Sequence, residues 1–200
     1  MARKINKREQ RTPKVRIVGA GITEFWYMKH LKSFCGFNYE LQPRVFGNES
    51  MNAINRFIDE AVSEQQPVIC LFDNDVAQWN QAEAQRMRQL HQTYDGNPDV
   101  LLCDSMPSIE YWFLLHYEHT NRHLGTSAAA VQALRKYQPK FDKVHQFLQN
   151  PRWVSEMSGE GRLQTALQRA EQFPPDSPSY TRMPLAIRRL EEEKQKSQKK

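Results

Sequence analysis

The sequence predicts an α/β sandwich: a mainly parallel sheet flanked by helices, followed by a helical C-terminal part. Three observations carry this. Strand-like and helix-like segments alternate through the first 120 residues, the rhythm of a parallel sheet built from crossover units. The runs from Pro67 to Phe72 and from Val100 to Cys103 are continuously apolar, as in strands covered on both faces. From Ser127 onward the apolar residues recur at helical spacing. Three segments follow: a basic arm over 1–13, an α/β domain over 14–125, and a helical extension over 126–200 packed on that domain.

Each element has its own signal. Val15 to Val18 is a short apolar strand ending at Gly19-Ala20-Gly21, where glycine permits a tight turn. Thr23 is placed to cap a helix, with Glu24 in its favourable first turn. Trp26, Tyr27, Leu31 and Phe34 extend that helix, and Gly36 stops it. Tyr39 to Phe46 reads as a second strand. Ser50 caps a helix whose stripe is Met51, Ile54, Phe57, Ile58, Ala61 and Val62. The strand ending at Phe72 runs into Asp73-Asn74-Asp75, and a polar helix over about 77–94 follows. Asp95-Gly96-Asn97-Pro98 is a turn. The strand from Val100 ends at Asp104-Ser105-Met106-Pro107, and Ser108 opens a helix to about Tyr117. Further helices are expected over about 127–137, 139–149, 159–172 and 181–195.

A chain of 200 residues that is 39% hydrophobic and 10% aromatic can bury a real core. Its formal charge of +5 permits a polyanionic partner without requiring one. Cys35, Cys70 and Cys103 have no metal spacing and cannot all pair, so they read as thiols in a reducing compartment. No stretch has membrane-spanning length, and the basic N-terminus lacks the apolar run of a signal peptide. A soluble, cytoplasmic protein is expected.

Chemistry concentrates where strands end. In an open parallel sheet, sites form beyond the carboxyl ends of the strands, so Glu24, Asp73, Asp75, Asp104 and Glu110 can converge there. Asp73 and Asp75 offer hard oxygen ligands of the kind that suits Mg²⁺ or Mn²⁺. A lone Asp-x-Asp is equally a helix cap, and Asp104 reads first as a cap or turn residue.

Three blocks in order bring a resemblance. Residues 17–32, IVGAGITEFWYMKHLK, resemble the opening motif of the RloB-like family and related TOPRIM-type proteins, which usually reads Gly-Glu-Gly-x-Thr-Glu followed by an aromatic. Leu71 to Asp75 is similar to the family's strand ending in Asp-x-Asp. CDSMPSIEYWFLLH, from Cys103 to His116, looks like its Ser-Asn-Pro-x-Phe-Glu-x-Trp-Leu-Leu-His block. The likeness is specific over residues 15–120; beyond that it rests on general helical character and on Tyr180 to Leu190. The resemblance implies a TOPRIM-like, Rossmann-related fold and a divalent-metal site for phosphodiester chemistry, as in a nuclease. It also implies a place in prokaryotic defence against phage. In that reading Asp73, Asp75 and Glu24 hold Mg²⁺ or Mn²⁺, and Glu110 and His116 join them. Gly19, Gly21, Thr23 and Lys29 meet phosphate. Nucleic acid or a nucleotide is the implied partner, together with other defence-system proteins. A nucleotidyl transferase or primase-like activity shares the same metal geometry.

One position departs from the pattern. The motif's usual glutamate falls at Ala20, which can neither ligate a metal nor move a proton. The chain is then an engineered inactive variant, a natural binder that does not cut, or a protein in which Glu24 takes over. The engineered change is the reading favoured here, because the motif around it is intact.

The remaining candidates have plainer readings beside the functional ones. His116 is either a proton shuttle or a core histidine. His116, His119 and His123 lack a fourth ligand for zinc. Trp26, Tyr27, Met28 and Trp79 read as core packing before base stacking. Arg3, Lys4, Lys7, Arg8 and Arg11 in the arm, and Arg182 to Lys200 in the tail, suit salt-sensitive attraction to a polyanion or simple solubility. Lys29 and Lys32 lie nearer the proposed site.

Overall fold

The structure, a computed structural model, describes residues 14–43 and 50–199. The basic arm over 1–13 and the distal part of the expected second strand, 44–46, lie outside the described residues.

The elements run in this order: β1 (Val15–Gly19), α1 (Ile22–Cys35), β2 (Tyr39–Gln42), α2 (Met51–Ser63), β3 (Val68–Asp73), a 3-10 helix (Asp75–Gln78), α3 (Gln81–Tyr94), β4 (Val100–Met106) and α4 (Ile109–Leu115). Then come α5 (Ser127–Leu134), α6 (His145–Leu148), α7 (Arg152–Ser158), α8 (Arg162–Ala170), β5 (Tyr180–Thr181) and α9 (Met183–Gln198). The strands form one sheet in the order β2-β1-β3-β4-β5. All pairs are parallel except β4 with β5, where Ser105 faces Thr181 and Met106 faces Tyr180. Chain direction across the sheet reverses between β1 and β3, so the crevice for a site opens beyond the carboxyl ends of these two strands.

Alternation along the strands feeds two cores. Ile17, Ile69, Leu71 and Cys103 face a large cluster built from α1, α4, α5 and the C-terminal helices. Val18, Cys70, Phe72 and Leu102 face a smaller one under α2 and α3. The C-terminal helices share the first cluster with the sheet through residues such as Leu134, Trp153, Leu167 and Ile187. Trp26, Tyr27 and Met28 are core residues, as their apolar context predicts. Among the described residues no helix is long and apolar enough to cross a membrane.

Several local expectations are corrected. Gly21, not Thr23, is the N-cap of α1, and Thr23 sits buried in its first turn. The helix after Asp75 does not run unbroken from residue 77. A 3-10 turn comes first, and α3 starts at Gln81 because Asn80 accepts the Glu83 N–H and caps it. Trp79, at the end of that 3-10 turn, is 61% exposed and packs in no core. Asp104 is neither a cap nor a turn residue. It is a buried strand residue, because β4 continues to Met106 between β3 and β5. The helix expected over 139–149 shrinks to His145–Leu148, and a helix at Arg152–Ser158 was not anticipated.

Candidate active site

The first wall of the site comes from the turn after β1. Ala20 donates its N–H to the Leu71 carbonyl at 3.1 Å, which pins the turn against β3. Gly21 is needed for close approach: a Cβ there would lie 2.7 Å from Glu24 Oε2. The Glu24 carboxylate is thus folded back over the start of α1, where the helix dipole favours negative charge. Thr23 Oγ1 is buried without a hydrogen-bond partner. Lys29 is exposed and stands over the Trp26 ring, 4.3 Å from its centroid, and Lys32 donates to the Tyr39 carbonyl at 2.5 Å.

The second wall comes from β3. By alternation Asp73 points to the same face as Leu71, and its Oδ1 accepts the Ile109 N–H of α4 at 2.9 Å. The Asp73-Asn74-Asp75 segment is clamped to the end of β4: Asn74 N–H reaches the Ser105 carbonyl at 2.9 Å and Asp75 N–H the Pro107 carbonyl at 3.0 Å. Asp75 Oδ2 accepts from the Ser127 N–H at the start of α5, at 3.1 Å. Asp104 stands behind this segment and does not line the site. Its carboxylate receives the Tyr180 hydroxyl, Asn74 Nδ2 at 3.3 Å, and an ion-pair contact from Arg182 Nε at 3.2 Å. Tyr180 Oη also accepts from Asn74 Nδ2 at 2.7 Å, so this network fixes the residue between the two aspartates.

The third wall is α4. Glu110 is 0% exposed, and its Oε2 accepts from Ser108 Oγ at 2.6 Å and Ser127 Oγ at 3.1 Å. Its Oε1 meets Lys143 Nζ at 2.9 Å in an ion pair. Lys143 also donates to Ser127 Oγ at 3.1 Å. This lysine, between α5 and α6, is the member that sequence reasoning missed. It lies inside a stretch that reads as helical, and no local signal marks it.

The acidic groups feel one another. Burial, opposed by the backbone N–H and reinforced by the charge of Glu110, pushes the Glu24 carboxyl up to about 7. Burial, with Glu24 and Glu110 adding to it, holds Asp73 well above the usual carboxylate range. Burial raises Asp75 as well, against the Ser127 hydrogen bond and Lys143. Burial would lower the Lys143 ammonium, but Glu110, Asp73 and Glu24 together keep it raised. Glu24, Asp73, Asp75 and Glu110 are therefore one electrostatic unit with one lysine in it.

His116 is outside that unit. It is buried, and its Nδ1 lies 3.0 Å from the Trp112 carbonyl. Burial, then the charges of Arg162 and Arg169, drive it down to about 3. It is a neutral core histidine at physiological pH, because it is buried where α4 ends. Ala20 is also set apart: its methyl packs against the smaller core under α2 and α3, on the opposite face of the sheet from Asp73.

The donor set, four carboxylates, fits a hard divalent cation by type. Among the described residues, though, no three His, Cys, Asp or Glu side chains are gathered closely enough to hold a metal as they stand. The cationic centre of the cluster is Lys143.

The model of the family described as RloB-like protein matches residues 15–190, which takes in the C-terminal helices as well as the sheet. No curated protein and no solved structure matches the chain. The chain belongs to the RloB-like family.

Proposed function

We propose that this RloB-like protein is a divalent-metal-dependent phosphodiesterase, a nuclease acting on nucleic acid or a nucleotide in defence against phage. The observation that carries this reading is the convergence of Glu24, Asp73, Asp75 and Glu110, from four separate elements, at the carboxyl edge of β1 and β3. Buried like charges are costly without a counter-cation, and a group of this kind invites a divalent ion. Asp73, Asp75 and Glu110 would have to draw closer than they stand to hold Mg²⁺ or Mn²⁺, which, when bound, neutralises phosphate charge and activates a water. Glu24, titrating near 7, can accept or return a proton at neutral pH. Asp104, Tyr180 and Arg182 fix the Asp73-to-Asp75 segment, and so act as positioning residues.

Position 20 bears on turnover. Ala20 is partly exposed at the sheet edge, on the opposite face from Asp73, so a glutamate there would have to bend round the turn to join the site. Ala20→Glu should raise cleavage of DNA, RNA or nucleotides with Mg²⁺ or Mn²⁺ over the present chain, and adding Asp73→Asn should abolish the gain. No gain on any of these substrates counts against the nuclease. Ala20 itself favours a second reading, a nucleotide or nucleic-acid binding module that does not cut. Calorimetric binding of Mn²⁺ and nucleic acid without turnover, even in Ala20→Glu, would select it. Products longer than the substrate would instead mark a nucleotidyl transferase.

A further inference from the structure

We infer that the cavity at the far end of α4 is a separate ligand site, and that its ligand is a mononucleotide. None of Glu24, Asp73, Asp75 and Glu110 lines this cavity. Tyr117, which does, follows the end of α4, whereas Glu110 stands at its start. The inference does not rest on a bound metal.

The cavity holds about 720 Å³ between the end of α4, the connection from α5 to α6, and α7, within the roughly 300–1,000 Å³ usual for small-molecule sites. Its floor is aromatic: Phe141 and Trp153 are 1% and 4% exposed, with ring centroids 5.8 Å apart. Tyr117 and Tyr137 form one wall, their rings stacked 4° from parallel with centroids 5.3 Å apart. Tyr137 is 43% exposed and offers ring surface to a planar guest, on which any base can stack.

The charge of the lining favours an anion. Lys140, Arg152 and Arg162 stand against one carboxylate, Glu156. Arg152 pairs with Glu156 and Arg162 with Glu160. Among the described residues the Lys140 side chain has neither an ion pair nor a hydrogen bond, so its ammonium is open to a phosphate.

Two lining side chains also carry buried polar atoms without a hydrogen-bond partner, Gln138 Oε1 and Arg162 Nε. Reversing the Gln138 amide cures nothing, because its Nε2 donates at 3.3 Å to the Trp153 carbonyl, which only accepts. An unmet acceptor and an unmet donor at such depth are costly. A guest with both N–H groups and acceptor oxygens, as a base with a phosphate has, can meet them after the side-chain shifts common on binding. An apolar guest leaves both unmet, and a plain anion leaves the rings bare.

The test titrates the full chain with AMP and with GMP in the presence of EDTA, read by calorimetry. At least one should bind, about tenfold more weakly in Tyr137→Ala, which removes a stacking surface. In Lys140→Ala the nucleotide should bind several-fold more weakly while the matching nucleoside, adenosine or guanosine, is unaffected. No binding of either nucleotide up to about 1 mM overturns the inference. So does an affinity that neither variant changes, or a nucleoside that binds wild type as tightly as its monophosphate. A short single strand that binds when neither mononucleotide does overturns it as well. Lys140 has no bond to lose, so its variant decides the matter if Tyr137→Ala does not fold. EDTA keeps divalent metal out of the measurement, so failure here leaves the phosphodiesterase reading standing, and failure of that reading leaves this site in place.

Discussion

Glu24→Gln should stabilise the metal-free protein, and by an amount that grows with pH. Glu24 is 4% exposed, and burial raises its carboxyl from 4.5 to about 7. The unfolded chain releases this proton near the ordinary value, whereas the folded chain keeps it to about 7. Between those values the unfolded state binds fewer protons, so stability falls as pH rises; above the folded value the loss is complete and levels off. The wild-type penalty at pH 8 then exceeds that at pH 5 by on the order of 2–3 kcal/mol. Glutamine does not titrate, so the stability of Glu24→Gln minus that of wild type should increase by this amount between the two conditions. Comparing pH values cancels the fixed cost of burying an amide. The assay is urea denaturation at both pH values with a chelator present. An advantage that stays flat, or shrinks, from pH 5 to pH 8 would refute the argument that Glu24 is buried among like charges. Saturating Mg²⁺ should narrow the gap at high pH, because a cation beside the carboxylate relieves the wild-type penalty.

Tyr180→Phe removes the hydroxyl that joins Asp104 to Asn74. A hydrogen bond to a charged group contributes roughly 1.5–3 kcal/mol, and Asn74 and Arg182 still reach Asp104. A loss near the lower figure is expected in chemical denaturation, with weaker Mn²⁺ binding as Asn74 loosens between the aspartates. Full stability with unchanged metal affinity would refute the positioning role. Trp79→Ala, at a site 61% exposed, should shift stability by less than about 0.5 kcal/mol. The same change should weaken binding of single-stranded nucleic acid, since stacking one base contributes about 1–3 kcal/mol; fluorescence anisotropy reads this, and equal affinity would show that Trp79 is not a stacking platform.

What could be read from the chain beforehand was local. The apolar run before Asp73 demands a buried strand, and its end presents the Asp73-to-Asp75 segment to the sheet edge whatever the rest of the chain does. Ser108 and Glu110 open α4 by the same kind of short-range rule. The errors arise where distant residues decide. Asp104 reads as a turn residue because a charged group seldom ends a buried strand. β5, a two-residue strand with no period of its own, extends the sheet past it, and Tyr180 and Arg182 satisfy its charge.

Lys143 is the sharper case. Phe141, Val144, Phe147 and Leu148 have helical spacing, so 139–149 reads as one helix. Tertiary packing overrides that pattern. Phe141 is buried against Phe113 and Trp153, with ring centroids 6.0 and 5.8 Å away, and the Arg135 side chain takes its carbonyl. The backbone therefore runs as a loop until His145 and delivers Lys143 to Glu110. The carboxylates are positioned by strand ends and helix starts, which a sequence displays. Their counter-charge is positioned by an aromatic anchor two residues away, which it does not. Without Lys143 the cluster is an acidic group that needs a cation from solution. With it, the protein carries a cation of its own, paired with Glu110.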